Sequence, residues 1–214
     1  MRVLIIGASG NVGGHTVHHA LKAGHEVSAG ARDPSKIEGE DPKLRRVETD
    51  VMKPDTLRAA VEGQDAVILT FGAPLTRQTI LHAPTLCADG TANVIDAMKD
   101  AGVKRLIAMT AIGAGDSAGH GRFVFRRIIE PVLLGRIMED RTRQEEIVRT
   151  SGLPEWVIVR PTELADRDTA PIRVIEDLEA EPEPETIARE DVGRFLVARV
   201  DGRDYDGRAV LITN

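Results

Sequence analysis

Arg2-Val3-Leu4-Ile5-Ile6-Gly7-Ala8-Ser9-Gly10-Asn11-Val12-Gly13-Gly14 is the stretch that decides the fold. Val3–Ile6 is a short apolar run bounded by glycine, which reads as a strand buried on both faces. After it, Val12, Thr16, Val17, Ala20 and Leu21 share one helical face until Gly24 stops the pattern. Strand, glycine turn and helix thus follow one another directly. Gly7 permits the tight strand-to-helix turn, and Gly13 lets the helix pack close to the sheet.

The glycine spacing is GxxGxxG, and Gly10 stands in its middle with no Cβ to keep a pyrophosphate off the backbone. The helix start adds free N–H groups and partial positive charge. A glycine pattern alone says little; one that follows a strand and opens a helix predicts a dinucleotide site. Gly7, Ser9, Gly10, Asn11, Val12 and Gly13 are therefore the expected phosphate cradle, with Ser9 and Asn11 able to add side-chain hydrogen bonds.

Working outward, the second strand ends at Gly30-Ala31-Arg32. An NAD site puts a carboxylate at this strand end for the ribose hydroxyls. Small residues followed by arginine instead leave room for a 2′-phosphate and a planar fork to hold it, so NADP(H) is the expected cofactor. Ser35 and Lys36 are near enough to assist, and Asp33, before Pro34, reads as a turn residue. Asp50-Val51 follows the third strand and flanks the expected adenine; capping a helix is an equally good role for Asp50. Phe71-Gly72-Ala73 follows the fourth and should border the nicotinamide-side ribose, with a small residue letting the cofactor lie against the backbone.

The alternation continues to the end of the chain. Val3–Ile6, Val27–Ala31, Ala66–Thr70, Leu106–Met109, Trp156–Val159 and Val210–Ile212 read as buried strands, and 44–47 as a weaker one. Leu57, Ala60 and Val61 share one helical face, and Val94, Ile95, Met98 and Ala101 another, with Gly102 ending a helix over 93–101. Gly152 ends a longer helix carrying Ile137, Ile147 and Val148. Parallel strands need right-handed crossovers, so the expected fold class is α/β: a doubly wound parallel sheet, one domain over residues 1–214, with a small C-terminal lobe on the substrate side. Residues 176–185, acidic and broken by Pro182 and Pro184, predict an exposed loop or part of a substrate lid.

Composition narrows the function classes. The chain has 214 residues, and with one Trp, one Tyr and four Phe its core must be built from aliphatic side chains. A net charge of −6 argues against nucleic acid, and Arg126-Arg127, interrupted by apolar residues, reads as a solvated helix face. Cys87 is the single cysteine, so no intrachain disulfide forms, and no Cys/His cluster suggests a metal. No signal-peptide layout and no membrane-length apolar run are present, so a cytoplasmic monomer or homodimer with a small-molecule substrate is expected.

The turn 7–13, the run 31–36, Gly63-Gln64-Asp65-Ala66-Val67-Ile68, Gly90-Thr91-Ala92-Asn93-Val94, Ser151-Gly152-Leu153, Val159-Arg160-Pro161 and Asp204-Tyr205-Asp206-Gly207 together resemble the atypical short-chain dehydrogenase/reductases. Within them the chain resembles the NAD(P)H-binding, NmrA-like proteins that include biliverdin reductase B. The likeness spans essentially the whole chain. It implies NADPH-dependent reduction of flavins, tetrapyrroles, quinones, enones or other carbonyls; the group also contains dinucleotide sensors without catalysis.

Ordinary short-chain dehydrogenases use a Tyr-x-x-x-Lys pair, in which lysine lowers the phenol pKa for proton exchange. The single tyrosine, Tyr205, stands just before the last strand, expected at the sheet edge, so the motif is absent. The resemblance puts the family's Ser/Thr position on Thr110, with Ala111 where biliverdin reductase B has serine. Thr110 could orient a substrate carbonyl or the nicotinamide, or could simply bond the backbone at a strand end. The glycine-rich stretch 113–121 should be mobile; its His120 is a candidate proton donor or a solvent-exposed side chain. Arg122, Phe123 and Phe125 could line a pocket or bury under a lid helix. Arg141 falls where relatives carry a lysine near the nicotinamide ribose, and Glu145 where they carry glutamate; a surface salt bridge at this i, i+4 spacing is the favoured reading. The Pro161-Thr162 backbone should border the nicotinamide carboxamide. The expected activity is NADPH-dependent reduction of a small conjugated or cyclic substrate; the rivals are a non-catalytic NADP(H) sensor and a biosynthetic isomerase, dehydratase or epimerase.

Overall fold

β1 (Arg2–Ile6) lies between two parallel partners, β2 (Glu26–Ala31) and β4 (Ala66–Leu69). Both its faces are covered, and Val3, Leu4 and Ile5 are wholly buried, which is why its apolar run is unbroken. The computed structural model describes residues 1–74, 76, 84–120, 135–178 and 184–214. Outward from β1 come β3 (Leu44–Glu48) on one side and β5 (Arg105–Met109) and β6 (Glu155–Pro161) on the other. Further strands are β7 (Leu164–Ala165), β8 (Arg173–Ile175), β9 (Ile187–Ala188) and β10 (Arg208–Thr213). The sheet order is β3-β2-β1-β4-β5-β6-β10-β8, with β8 alone antiparallel. Its first six strands follow the doubly wound dinucleotide-binding order, and the chain is one α/β Rossmann domain.

Helices Asn11–Lys22 and Arg189–Asp201 cover one face, burying Val12, Val17 and Ala20 against Val192, Leu196 and Val200. Helices Pro54–Val61, Leu86–Asp100 and Gly135–Thr150 cover the other, burying Leu57, Met98 and Val148. Gly24, Gly102 and Gly152 all have left-handed φ, of 88°, 71° and 75°, just past helix ends.

Several expectations change. The helix expected over 93–101 begins at Leu86, and Ala101, its C-cap, is exposed. Asp140 explains the earlier start: its carboxylate accepts from the Cys87 and Ala88 amides at 2.9 and 3.1 Å, capping that helix from another one. Arg189–Asp201 is a helix that the sequence reading did not find. The expected C-terminal lobe shrinks to the paired β7 and β9, because β10 and β8 join the main sheet. β10 is no edge strand; β6 and β8 flank it. Tyr205 is nonetheless far from the carboxyl edge: it precedes a strand that runs parallel to β6, so it lies at the opposite, amino edge, packed on Phe195. Arg105, buried at that edge, ties the turn down through Asp206 at 2.9 Å.

Candidate cofactor and substrate site

The carboxyl ends of β1, β2, β4, β5 and β6 share one edge, so Gly7, Arg32, Phe71, Thr110 and Thr162 rise from the same rim. The glycines of the first turn separate by cause. Gly7 has φ +93°, and a Cβ there would meet the Phe71 nitrogen at 2.7 Å. A Cβ on Gly13 would fall on the Gly7 carbonyl oxygen and lie 2.9 Å from the Ala8 Cα. Both are therefore required by the fold. Gly10 is different: an added Cβ finds only the Gly7 oxygen, at 3.3 Å. Its missing side chain keeps space for something outside the chain. The helix it opens has no side-chain cap and no acidic residue in its first turn. No described residue accepts from the Asn11, Val12 or Gly13 amides, and Ser9 and Asn11 are exposed. Three open donors and a bare Gly10 fit a pyrophosphate.

A groove of about 520 Å3 runs from Ser9, Gly10 and Asn11 to Lys36–Gly39. Arg32 is exposed and makes no hydrogen bond or ion pair among the described residues. Asp33 caps the short Pro34–Lys36 turn, as expected: it accepts from the Ser35 hydroxyl at 2.6 Å and the Ser35 amide at 3.2 Å, and faces Lys36 at 3.8 Å. The Ser35 hydroxyl bond comes first among the causes that hold the Asp33 carboxyl below its usual range. Ser35 and Lys36, predicted to help with a 2′-phosphate, thus both attend to Asp33. Gly30 owes its size to packing, since a Cβ would strike the Thr49 hydroxyl at 2.6 Å. Its carbonyl accepts from the Gly7 and Ala8 amides, each at 3.0 Å.

Asp50 makes a turn, accepting from the Met52 amide at 3.0 Å, and does not cap the following helix, whose N-cap is Lys53. Val51 is buried, with its carbonyl bonded by Asn93 at 2.8 Å. Phe71 packs on the same core as Val51. Gly72 is small because a side chain would run into the Arg141 guanidinium, so the fold and not a cofactor accounts for it. Ala73 follows it on the rim.

The far half of the rim is a buried polar network, and here the favoured surface reading of Arg141 and Glu145 is overturned. They are 8% and 1% exposed and do not pair with each other. Arg141 donates to the carbonyls of Met109 at 2.9 Å and Phe71 at 3.1 Å, and to Gln144 at 2.8 Å, fastening the ends of β5 and β4 together. Glu145 is held through both oxygens by Arg160, at 2.8 and 2.5 Å, and accepts from the Thr110 hydroxyl at 2.8 Å. Thr110 bonds a carboxylate, then, and not the backbone. Counting back from Arg141 by the Tyr-x-x-x-Lys spacing gives Ile137, a side chain that exchanges no proton.

Pro161 and Thr162 are buried; the Pro161 carbonyl accepts from Ile112 at 3.0 Å, and the Thr162 amide donates to Ile212 at 3.0 Å. The segment expected to be mobile is a hydrogen-bonded turn as far as His120. Ser117 is fully buried and bonds the Ala114 carbonyl at 2.6 Å, and the Gly115 amide donates to Thr142 at 3.0 Å. His120 donates its amide to the Ser117 carbonyl at 3.2 Å. Gly121, Arg122, Phe123, Phe125 and Arg126-Arg127 lie outside the described residues, as do 179–183 of the acidic stretch. Among the described residues there is no cluster suited to a metal ion and no helix long and apolar enough to cross a membrane. Arg160 and Asp116 are the site residues that sequence reasoning missed; a charge inside the apolar run Trp156–Pro161 was the available signal, because a buried charge demands a partner.

The NAD(P)H-binding family profile matches residues 7–202. The "uncharacterized sugar epimerase YhfK" of Bacillus subtilis is 28% identical, covering 100% of this chain and 94% of that protein. A Rossmann-fold NAD(P)-binding family protein from Shigella flexneri superposes with TM-score 0.75 at 25% identity, covering 100% of this chain and 93% of that one. ChuY, described as an anaerobilin reductase from Escherichia coli O157:H7, superposes with TM-score 0.81 at 22% identity over 100% and 97% of the two chains.

Proposed function

We propose, since the chain belongs to the NAD(P)H-binding family, that it is an NADPH-dependent reductase passing hydride to a small cyclic or conjugated acceptor such as a flavin, quinone or enone. The carrying observation is the contrast along one rim: an open phosphate turn at one end, and at the other a closed network with no Tyr-Lys acid pair. Bound nicotinamide supplies the hydride at its C4. The chain's own part is placement. The Asn11, Val12 and Gly13 amides take the pyrophosphate, and Arg32, exposed and without a partner among the described residues, takes the 2′-phosphate. Asp33, the one carboxylate at that strand end, caps the Pro34–Lys36 turn through its Oδ1. Arg141 holds the Phe71 and Met109 carbonyls that border the reacting end.

Acceptor choice follows from the missing acid. A simple ketone needs a proton at its oxygen as hydride arrives. A quinone or flavin spreads the incoming charge over a conjugated system and can be protonated afterwards. The Thr110 hydroxyl is committed to Glu145, which leaves water or His120 as the source. The reductase name of the Escherichia coli neighbour supports this reading; the epimerase name of the Bacillus relative supports the rival.

Oxidation of NADPH and NADH should be followed with a panel of flavins, quinones and enones. NADPH oxidation with at least one panel member, favoured over NADH at least tenfold in kcat/KM, is expected. Intact NADPH binding with no oxidation by any acceptor would reject it, and substrate isomerisation without NADPH loss would favour the epimerase.

A further inference from the structure

Arg160 is a cation with two anionic partners of unlike character. Its side chain is 4% exposed; Glu145, 2% exposed, grips it from Nε and Nη2 as a parallel fork. The second partner, Asp116, is 77% exposed and reaches the same Nη2 with one oxygen. No described residue accepts from Nη1. The guanidinium's end-on pair, Nη1 and Nη2, is therefore half used, by a carboxylate that stands in solvent.

The segment carrying Asp116 is built as a cap. Gly115 rests on the ion pair, since a Cβ there would lie 2.6 Å from Glu145 and 2.7 Å from Arg160. Left-handed glycines bracket the turn, Gly113 at φ 93° and Gly119 at φ 82°, and Gly115 itself is at 58°. Charge completes the case. Arg149 lies 3.6 Å from Asp116 and 3.8 Å from Glu145, so among the described residues the cluster holds two cations and two carboxylates. Lifting Asp116 away leaves one positive charge uncompensated at the rim, one hydrogen-bonded residue, Glu145, away from Thr110.

We propose that Arg160 is the receptor for a carboxylate on the substrate, and that Asp116 occupies its place until the substrate arrives. The incoming group takes Nη1 and Nη2 together, which Asp116 does not, and the charge balance of the cluster is restored. The acceptor of the reaction is on this account an anionic conjugated molecule. That last step rests on the reductase reading; the anion site does not.

Trp156 gives the test its reporter. It is the single tryptophan, and the Arg149 guanidinium sits 5.8 Å from its ring centroid. Sodium benzoate and its neutral counterpart benzamide should be titrated against the full chain and Asp116→Asn, with Trp156 emission and no turnover as readout. Asp116→Asn should bind benzoate at least fivefold tighter than wild type, and benzamide should bind neither protein measurably. Asp116→Glu, which restores the charge, should return benzoate affinity toward wild type. Equal benzoate affinity in wild type and Asp116→Asn, or benzamide binding as well as benzoate, would overturn the proposal. Because no acceptor is reduced in this assay, its outcome is independent of whether the reductase reading stands.

Discussion

The two ends of the carboxyl rim are made in opposite ways. The phosphate turn comes from eight consecutive residues, 7 to 14, and its working groups are backbone amides. The far end gathers Phe71, Thr110, Asp116, Arg141, Glu145 and Arg160 from five separate segments; Thr110, Arg141, Glu145 and Arg160 are buried side chains bonded to one another or to strand-end carbonyls, and Asp116 closes the group from solvent. The first leaves its amides open and fits a pyrophosphate; the second is closed because an unpaired charge at that depth would be costly. Substitution at Gly10 should therefore cost binding, and substitution at Glu145 should cost folding.

The largest effect on binding is expected at the open end. Gly10→Val should weaken NADPH binding more than a hundredfold, by calorimetry, with the melting temperature little changed, because a Cβ there meets little but the Gly7 oxygen. Gly13→Ala breaks the comparison in the other direction: its methyl falls on the Gly7 oxygen, and overpacking of this kind costs about 1–3 kcal/mol in a denaturant melt. If Gly10→Val unfolds the chain as readily as Gly13→Ala, the distinction between the two glycines is wrong.

At the closed end, Glu145→Gln should lose about 3–5 kcal/mol of stability, the usual result of stripping one partner from a buried pair. Burial alone would disfavour the Arg160 charge, yet Glu145 and Asp116 raise its pKa above the ordinary arginine value. A melt of Glu145→Gln equal to wild type would mean the network carries no folding energy.

Arg32→Ala is subtler. It should leave the melt alone and erase the preference for NADPH over NADH, a loss of about 1.4 kcal/mol if that preference is tenfold. An unchanged preference in calorimetric titrations would place the 2′-phosphate elsewhere.

The smallest effect is set by pH. Burial is the first cause that lowers the pKa of His19 and of His25, each facing a carboxylate, Glu190 and Asp201. Above the unfolded value of about 6.5 both states hold the imidazoles neutral, and the full stability is present. As pH falls below 6.5 the unfolded chain takes the protons first, so stability drops until the folded pKa values are passed. Denaturant melts should show this slope in wild type and a shallower one in His25→Gln; an identical slope would remove His25 from the explanation.

Legibility from sequence divides along the same line. The strand, turn and helix at residues 2–22 could be read because local chemistry alone makes them: an apolar run, glycines where φ or close approach demands them, and apolar residues at helical spacing. The far end resisted for a definable reason. The helix Gly135–Thr150 buries Ile137, Asp140, Arg141, Gln144, Glu145 and Val148, a regular one-sided stripe whose middle is polar. A search for apolar periodicity sees only its ends, and Arg141 and Glu145 then look like a surface pair. The helix Arg189–Asp201 escaped although Val192, Leu196 and Val200 mark its buried face, with Glu190 and Asp191 in its first turn. Tyr205 was placed away from the cofactor for the wrong reason: the amino edge of the sheet, not an edge strand, separates them.

On the reductase reading, this rim delivers hydride directly to an acceptor, with no protein acid of the Tyr-Lys kind. NADPH deuterated at the transferred C4 position, incubated with the full chain and an accepted quinone or flavin, tests it directly, with mass balance of the label between cofactor and exchangeable water. One NADPH should be consumed per acceptor reduced, with loss of the label from C4 and a primary isotope effect when hydride transfer limits the rate. Retention of the label at C4, with NADPH bound and a sugar or other substrate isomerised, would rule out net hydride transfer to an acceptor.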